Sequence, residues 1–455
     1  MTLDLTLVKS EVAHPVKIQG EGGDVGIPLS LLYLGSYARD NSNTNVTIRD
    51  HRLDKALGKE RDFERDFRDA DVVGVGACTS ESPDATNVLR QAKEMGKVTV
   101  MGGLYATFNS ERVLNEGATD FVVQGEGERP LADLMNALDG KGSIEDVRGI
   151  SYRKGHQIIH NPNAELIEDL DSLPMPAYDL IDTDLYSQFG PASIYSARGC
   201  PMTCDFCTLN EMWGFRHRGR SAENIIQELE MLKGFGFERV HFKDETVTLN
   251  KRNALELFRE IEKANLGLTY KAKSRINQID PQLLEQMMAA GLDTIHTGVE
   301  SIVQNTLDRM KKGVSEKSIR KTFDMMQSYG CNLNPVYLIG SPGETPGELQ
   351  ANAGFAREMG QRPNVITYLS FMTPHPGTAM VNDPEMNILT TDYSRYTHKQ
   401  PVAVPKSLGS DGLKKMVDTY HSVVKDIGME SVNPRIGPKY LSEISQKGKR
   451  EVLVA

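Results

Sequence analysis

The chain has 455 residues, five cysteines and a formal net charge of −10. That length accommodates two to three domains, and 39% hydrophobic with 25% charged residues is the balance of a globular protein with ample core. The acidic balance excludes a broadly basic nucleic-acid surface, and five cysteines exclude a disulfide scaffold. No 18-residue apolar run or apolar leader is read in the sequence, so a cytoplasmic protein without a membrane span is expected.

Residues 1–145 alternate short apolar runs with helical patterns. Strands are expected at 3–8, 46–50, 72–77, 98–102 and 121–124, and helices at 28–40, 83–95, 110–116 and 129–138. That alternation predicts an α/β, Rossmann-like domain with a parallel sheet and helices on both faces. Ligands of such sheets lie beyond the carboxyl ends of the strands. Those ends carry small and glycine-rich residues: Thr79 and Ser80, then Gly102, Gly103, Leu104 and Tyr105, then Gly125, Glu126 and Gly127. Three such turns in register predict one shared ligand cradle. Cys78 and Cys331 sit on strand-like segments and are expected to be buried structural thiols.

Residues 146–190 read as a connector with a hairpin around Lys154-Gly155 and the Pro-rich Leu173-Pro174-Met175-Pro176. Residues 191–380 alternate again, with strands expected at 193–196, 239–243, 269–272, 294–298, 331–339 and 365–371. Six such units predict a partial (β/α)6 barrel, more open than the eight-stranded form. Residues 381–455 are less periodic and read as a short cap or tail, with one helix at 410–426.

The loop after the first barrel strand reads Arg198-Gly199-Cys200-Pro201-Met202-Thr203-Cys204-Asp205-Phe206-Cys207. Three thiolates from Cys200, Cys204 and Cys207 can hold three irons of a [4Fe-4S] cubane and leave the fourth iron open. A zinc site prefers four ligands, and no second Cys or His pair stands at a suitable spacing. An open metal position is where a substrate or cofactor can bind and react.

This loop, with Phe206 before the third cysteine, resembles that of radical S-adenosylmethionine enzymes. Further segments match the branch with an N-terminal cobalamin domain: 28–34, Met101-Gly102-Gly103, Gly125-Glu126-Gly127-Glu128, Lys243-Asp244-Glu245-Thr246, Gly298-Val299-Glu300-Ser301 and 339–345. The resemblance covers about four fifths of the chain. It implies a [4Fe-4S] cluster, S-adenosylmethionine and cobalamin as cofactors. It also implies a C-methyltransferase that moves a methyl group from methylcobalamin to an unactivated sp3 carbon.

The resemblance implies roles as well. Glu245 would take the methionine ammonium of S-adenosylmethionine. Arg275 and Glu300 would contact its carboxylate and ribose hydroxyls, or stand in structural ion pairs. Ile339 and Gly340 would line the adenine site. Tyr337 and Tyr368 would point into the barrel lumen, or pack, and His375 would face substrate. Residues 15–27 lack the Asp-x-His-x-x-Gly loop that ligates cobalt from below in other cobalamin domains. The cobalamin tail would pass Thr79, Ser80, Gly102 and Gly103, and Tyr105 would face the corrin or pack on a neighbouring helix.

The substrate is expected to be a small molecule or a peptide or protein segment, with a ferredoxin or flavodoxin as electron donor. Size and pattern also resemble methyltransferases that modify a glutamine Cα of methyl-coenzyme M reductase. Two alternatives stand beside this reading: an oxidative cyclase or rearrangement enzyme without net methyl transfer, and, more remotely, an iron–sulfur electron-transfer or sensor protein.

Overall fold

A computed structural model describes residues 2–11 and 25–428, and the chain divides near residue 190 into two compact units. Most of the segment 15–27 and the end of the tail lie outside the described residues.

In the first unit, β1 (Leu3–Lys9), β2 (Thr44–Asp50), β3 (Val72–Gly76), β4 (Val98–Gly102) and β5 (Phe121–Val123) pair in parallel in the order β2-β1-β3-β4-β5. Successive residues such as Leu7 and Val8, or Val72 and Val73, are both buried because helices cover both faces. Those helices include Leu29–Asn41, Ser82–Glu94 and Glu128–Leu138, as the periodicity predicts. Chain order reverses between β1 and β3. A crevice therefore opens at the carboxyl ends of those two strands.

The hairpin β6 (Ile150–Lys154) and β7 (Gln157–His160) pairs antiparallel with β5. It therefore extends the first sheet and is not a free connector. Short helices at His51–Ala56, Phe63–Phe67 and Gly103–Phe108 were not expected. Five or six residues are too few to show a helical period, and the first two begin on capping carboxylates, Asp50 and Asp62.

The second unit opens with β8 (Ala192–Ile194), then β9 (Ala197–Arg198) and β10 (Arg218–Gly219), an antiparallel pair that brackets the cysteine loop. There follow β11 (Arg239–Phe242), β12 (Thr269–Arg275), β13 (Leu292–Glu300), β14 (Asn332–Ile339) and β15 (Tyr368–Phe371). Six strands pair in parallel in the order β15-β14-β13-β12-β11-β8, the partial barrel expected from the sequence. Five of the intervening helices start on a side-chain cap: Ser221, Asn250, Asp280, Ser315 and Thr345 accept the backbone N–H three residues on. These caps place the helix starts, and so the loops between strand and helix, at the carboxyl ends of the strands.

Beyond the barrel come the antiparallel pair β16 (Met386–Ile388) and β17 (Ala403–Pro405) and the expected helix, Gly412–Asp426. That helix packs on Pro346–Gly360, where Arg357 Nε meets Asp426 Oδ2 at 2.7 Å.

Candidate active site and cofactor cradle

The cysteine loop is fixed at its base and along its length by the strands beside it. Ser196 donates through its N–H (3.1 Å) and hydroxyl (2.6 Å) to the fully buried carboxylate of Asp244. Gly199 N–H donates to Glu245 Oε2 at 3.1 Å. Asp205 N–H donates to Met310 O at 3.2 Å, and its carboxylate pairs with Lys311 at 2.9 Å. Gly199 has φ +90°, a conformation that costs glycine little and other residues more.

Cys204 is buried, and Cys200 and Cys207 are partly exposed. Among the described residues no three His, Cys, Asp or Glu side chains converge on one ion. Thiolates on separate corner irons of one cluster need not converge in that way. Burial pushes the Cys207 thiol up to about 11 and the Cys200 thiol upward, so thiolate here calls for a bound metal. The Arg275 guanidinium donates to Cys204 Sγ at 3.6 Å and to Lys312 O. Arg275 therefore ties the cysteine loop to the segment after the helix at 304–309.

Glu245 lies at the carboxyl end of β11, as expected. Burial raises its carboxyl above the ordinary value, with Asp244 adding to the rise. An arriving ammonium group would reverse that bias. Glu300 instead forms an ion pair with Lys312 at 2.8 Å, both side chains under 10% exposed. It is held at φ +63°, where a β-bulge interrupts the β13–β14 ladder. Gly298 makes this possible, since a Cβ there would lie 2.0 Å from Glu300 Oε1. The Lys312 ammonium also stands 5.8 Å from the centre of the Phe206 ring. Phe206 packs against Met310, Leu338, Met372, Met380, Met386 and Ala403. Lys312 was missed in the sequence, where it looks like an ordinary lysine after a short helix.

Of the two readings given for Tyr337 the structure favours packing, and Ile339 and Gly340 are engaged within the fold. Tyr337 does not face the lumen. Its fully buried ring meets Phe355 of the outer helix at 6.0 Å between centroids. Asn334, two pleats of alternation from Leu338, bonds His296 on the inner face, so Tyr337 and Ile339 point outward. Ile339 is likewise fully buried, and its carbonyl accepts from Met372 N–H; Leu338 is the residue that reaches the Phe206 group. Gly340 N–H is already given to Glu344 Oε2 at 2.6 Å, so it is not available to an adenine. Gly340 is glycine because φ is +85° and a Cβ would strike Met416 Cε at 2.3 Å.

Tyr368 does turn to the inner face, 5.6 Å from the His296 ring. His375 pairs with His398 through their Nε2 atoms at 3.0 Å. Burial, then the neighbouring imidazole, lowers His375 to about 3, so it is neutral at neutral pH.

Glu344 is fully buried, with Oε1 unpartnered, and burial raises its carboxyl to about 7. The folded state thus keeps this proton above the ordinary 4.5. Its stabilising contribution is complete below about 4.5 and is lost as pH rises through about 7. Glu344→Gln keeps an acceptor for Gly340. The native chain should lose roughly 2–3 kcal/mol of stability between about pH 5 and 8 that the variant retains, read by urea unfolding across that range.

In the first unit, Thr79 and Tyr105 are buried, and Ser80, Gly102, Gly103 and Leu104 are partly exposed. Gly103 has φ +87°, and a Cβ there would come within 2.8 Å of Ala77 O. Gly76 and Gly125, by contrast, would project a Cβ into open space. Such bare backbone at the ends of β3 and β5 fits a broad planar ligand and its tail. Gly127 has another cause, close approach of Leu34, and Glu126 accepts from Ile167 N–H at 2.8 Å, so both serve the fold. Cys78 is exposed at the end of β3, not buried as expected, because the chain leaves the sheet there; Cys331 is buried. The histidine that follows β2, His51, is fully buried against Asp66 at 3.3 Å.

Residues 194–356 match the Radical SAM superfamily and 17–135 match the B12 binding domain. An uncharacterized methyltransferase of Pyrococcus horikoshii is 31% identical over 405 residues, 87% of each chain. The chain belongs to the cobalamin-dependent radical S-adenosylmethionine C-methyltransferases. The anaerobic magnesium-protoporphyrin IX monomethyl ester cyclase of Rubrivivax gelatinosus is 26% identical, over 84% of this chain and 70% of that one. The radical S-adenosylmethionine methyltransferase TsrM of Kitasatospora setae, solved with cobalamin and a [4Fe-4S] cluster, shares the fold. It has a TM-score of 0.71 at 17% identity, over 95% of this chain and 90% of that one. The cofactors of this radical methyltransferase are a [4Fe-4S] cluster, S-adenosylmethionine and cobalamin. No helix among its described residues is long and apolar enough to cross a membrane.

Proposed function

We propose that Cys200, Cys204 and Cys207 ligate the cluster, that Glu245 holds the ammonium of S-adenosylmethionine, and that the methyl acceptor is an unactivated sp3 carbon. The observation that carries the assignment is the bond from Gly199 N–H to Glu245, which ties the cluster loop to a carboxylate suited to that cation. When bound, the cluster supplies the electron that cleaves S-adenosylmethionine, and cobalamin supplies the methyl group. Arg275 would position Cys204 through the contact to its sulfur, and Lys312 and Phe206 would form the wall beside it. Thr79, Ser80, Gly102 and Gly103 would hold the cobalamin tail at the β1/β3 crevice. His375, neutral and bonded to His398, would accept or orient a polar group of the substrate.

A peptide carbon such as a glutamine Cα is one acceptor of this kind, and a small molecule is the other. Electrons would come from a ferredoxin or flavodoxin in the cytoplasm. The cyclase relative keeps ring formation as a second reading, and no feature of the described residues favours it.

Anaerobic reduction of reconstituted enzyme with S-adenosylmethionine should yield deoxyadenosine; a protein that binds both cofactors yet gives none would overturn the proposal. Glu245→Gln should weaken S-adenosylmethionine binding by roughly tenfold to a hundredfold, the loss of one charge-assisted bond. Equilibrium binding to reduced holoenzyme reads it.

A further inference from the structure

Three consecutive residues after the helix Gln304–Arg309 grip the cysteine loop. Met310 O accepts from Asp205 N–H, Lys311 pairs with the Asp205 carboxylate, and the Lys312 ammonium stands over the Phe206 ring. The Lys312 carbonyl accepts from one terminal nitrogen of Arg275, whose other terminal nitrogen donates to Cys204 Sγ at 3.6 Å. Lys312 therefore reaches two of the three loop cysteines. It meets Cys204 through Arg275, and Cys207 through Phe206, its neighbour in sequence.

This grip is built on costly backbone. Lys311 has φ +52°, and across the ion pair Glu300 has φ +63°. A residue with a Cβ stays in that region only where its surroundings over-determine it, and such residues gather at functional sites. Two of them meet at one ion pair here. Gly298 adds a third constraint, since a Cβ there would also lie 2.9 Å from Lys312 Nζ. A buried ion pair gains little stability over two well-packed apolar side chains. What this pair supplies is a fixed place for the ammonium, held 2.8 Å from Glu300 with both side chains under 10% exposed. The other end of the loop hangs on Glu245, through Gly199 N–H. The loop is thus held at 199 by the carboxylate proposed for S-adenosylmethionine, and at 204–206 by residues 310–312 and Arg275.

We propose that Lys312 is a positioning residue for the cluster. Its ammonium, held by Glu300, sets Phe206 and with it Cys207; its carbonyl sets Arg275 and with it Cys204. This rests on the cluster assignment above and goes beyond it, because it names the residue that fixes two of the thiols relative to each other. Metal ligands hold their geometry only as well as the residues behind them do. A loop released by Lys312 should therefore let iron go faster.

The test uses reconstituted holoenzyme, follows iron loss to excess chelator, and measures urea unfolding of the same samples. Lys312→Met combined with Glu300→Gln leaves no lone charge, so its urea midpoint should return close to the native value. Its iron should still leave about tenfold faster than native iron, because the cation no longer holds the ring. Lys312→Arg keeps a cation between Glu300 and Phe206 and should stay within about threefold of native. Electron paramagnetic resonance of the reduced cluster gives a second readout: the double variant should broaden the native signal and Lys312→Arg should reproduce it. Should the double variant not recover its midpoint, Phe206→Leu decides instead. It leaves the ion pair in place and removes only the ring, and iron loss should again quicken about tenfold. Native-like iron loss in the deciding variant, or Lys312→Arg as leaky as the double variant, would overturn the proposal. A native enzyme that takes up no iron is a separate result, which would sink the cluster assignment itself and this proposal with it.

Discussion

Cys204→Ala should strip the cluster and abolish both deoxyadenosine formation and methyl transfer. Three cysteines leave no spare ligand, so losing one opens a second corner of the cubane to solvent. Cys204 is the buried member of the three and the one that faces Arg275. Its removal also leaves that guanidinium without its sulfur partner. Iron content and the broad iron–sulfur absorption should fall together, and product should drop to background. Cys331→Ala is the matched control. Cys331 precedes β14, at the opposite end of the strand from the cluster loop, and is buried as an ordinary small apolar side chain. That variant should keep its iron. A Cys204→Ala protein with full iron content and activity would remove the cluster assignment.

Lys312→Met should be the most destabilising single change near the site. Glu300 and Lys312 are both buried, and Glu300 is additionally held at a positive φ. Removing the ammonium leaves a buried carboxylate without its cation, a loss of about 3–5 kcal/mol. A shift of that size should appear as a lower urea midpoint for the second unit. The double variant Lys312→Met, Glu300→Gln should recover most of it, since no lone charge then remains. Equal losses in the single and double variants would show that the pair is not coupled. Gly298 predicts the same from the backbone side, because any Cβ there must push the two groups apart.

Much of this was legible in the sequence, for reasons visible in particular residues. The strands of both sheets were readable because parallel strands buried on both faces are continuous apolar runs between turn residues, as in Val72–Gly76 and Val98–Gly102. Cys200, Cys204 and Cys207 were readable because their spacing is itself the chemistry. Sidedness was harder. Within Asn332–Ile339 the run after Asn334 is apolar on both faces, so nothing in it says that Leu338 looks inward and Tyr337 outward. Partners distant in sequence were not readable either, as with Lys312 and Glu300 or Gly340 and Met416. The charged face of β12 did leave a signal. Lys271-Ala272-Lys273-Ser274-Arg275 alternates charge with small residues at the period of a strand, which an apolar-run search passes over.

The account stands or falls on where the two halves of S-adenosylmethionine go. The decisive measurement is product stoichiometry from reduced, cobalamin-loaded enzyme, with small molecules and glutamine-containing peptides offered as acceptors. A product heavier by one methyl group, with S-adenosylhomocysteine and deoxyadenosine in about equal amounts, is the predicted result. Deoxyadenosine formed with an acceptor that is transformed but never methylated, and without S-adenosylhomocysteine, would contradict it.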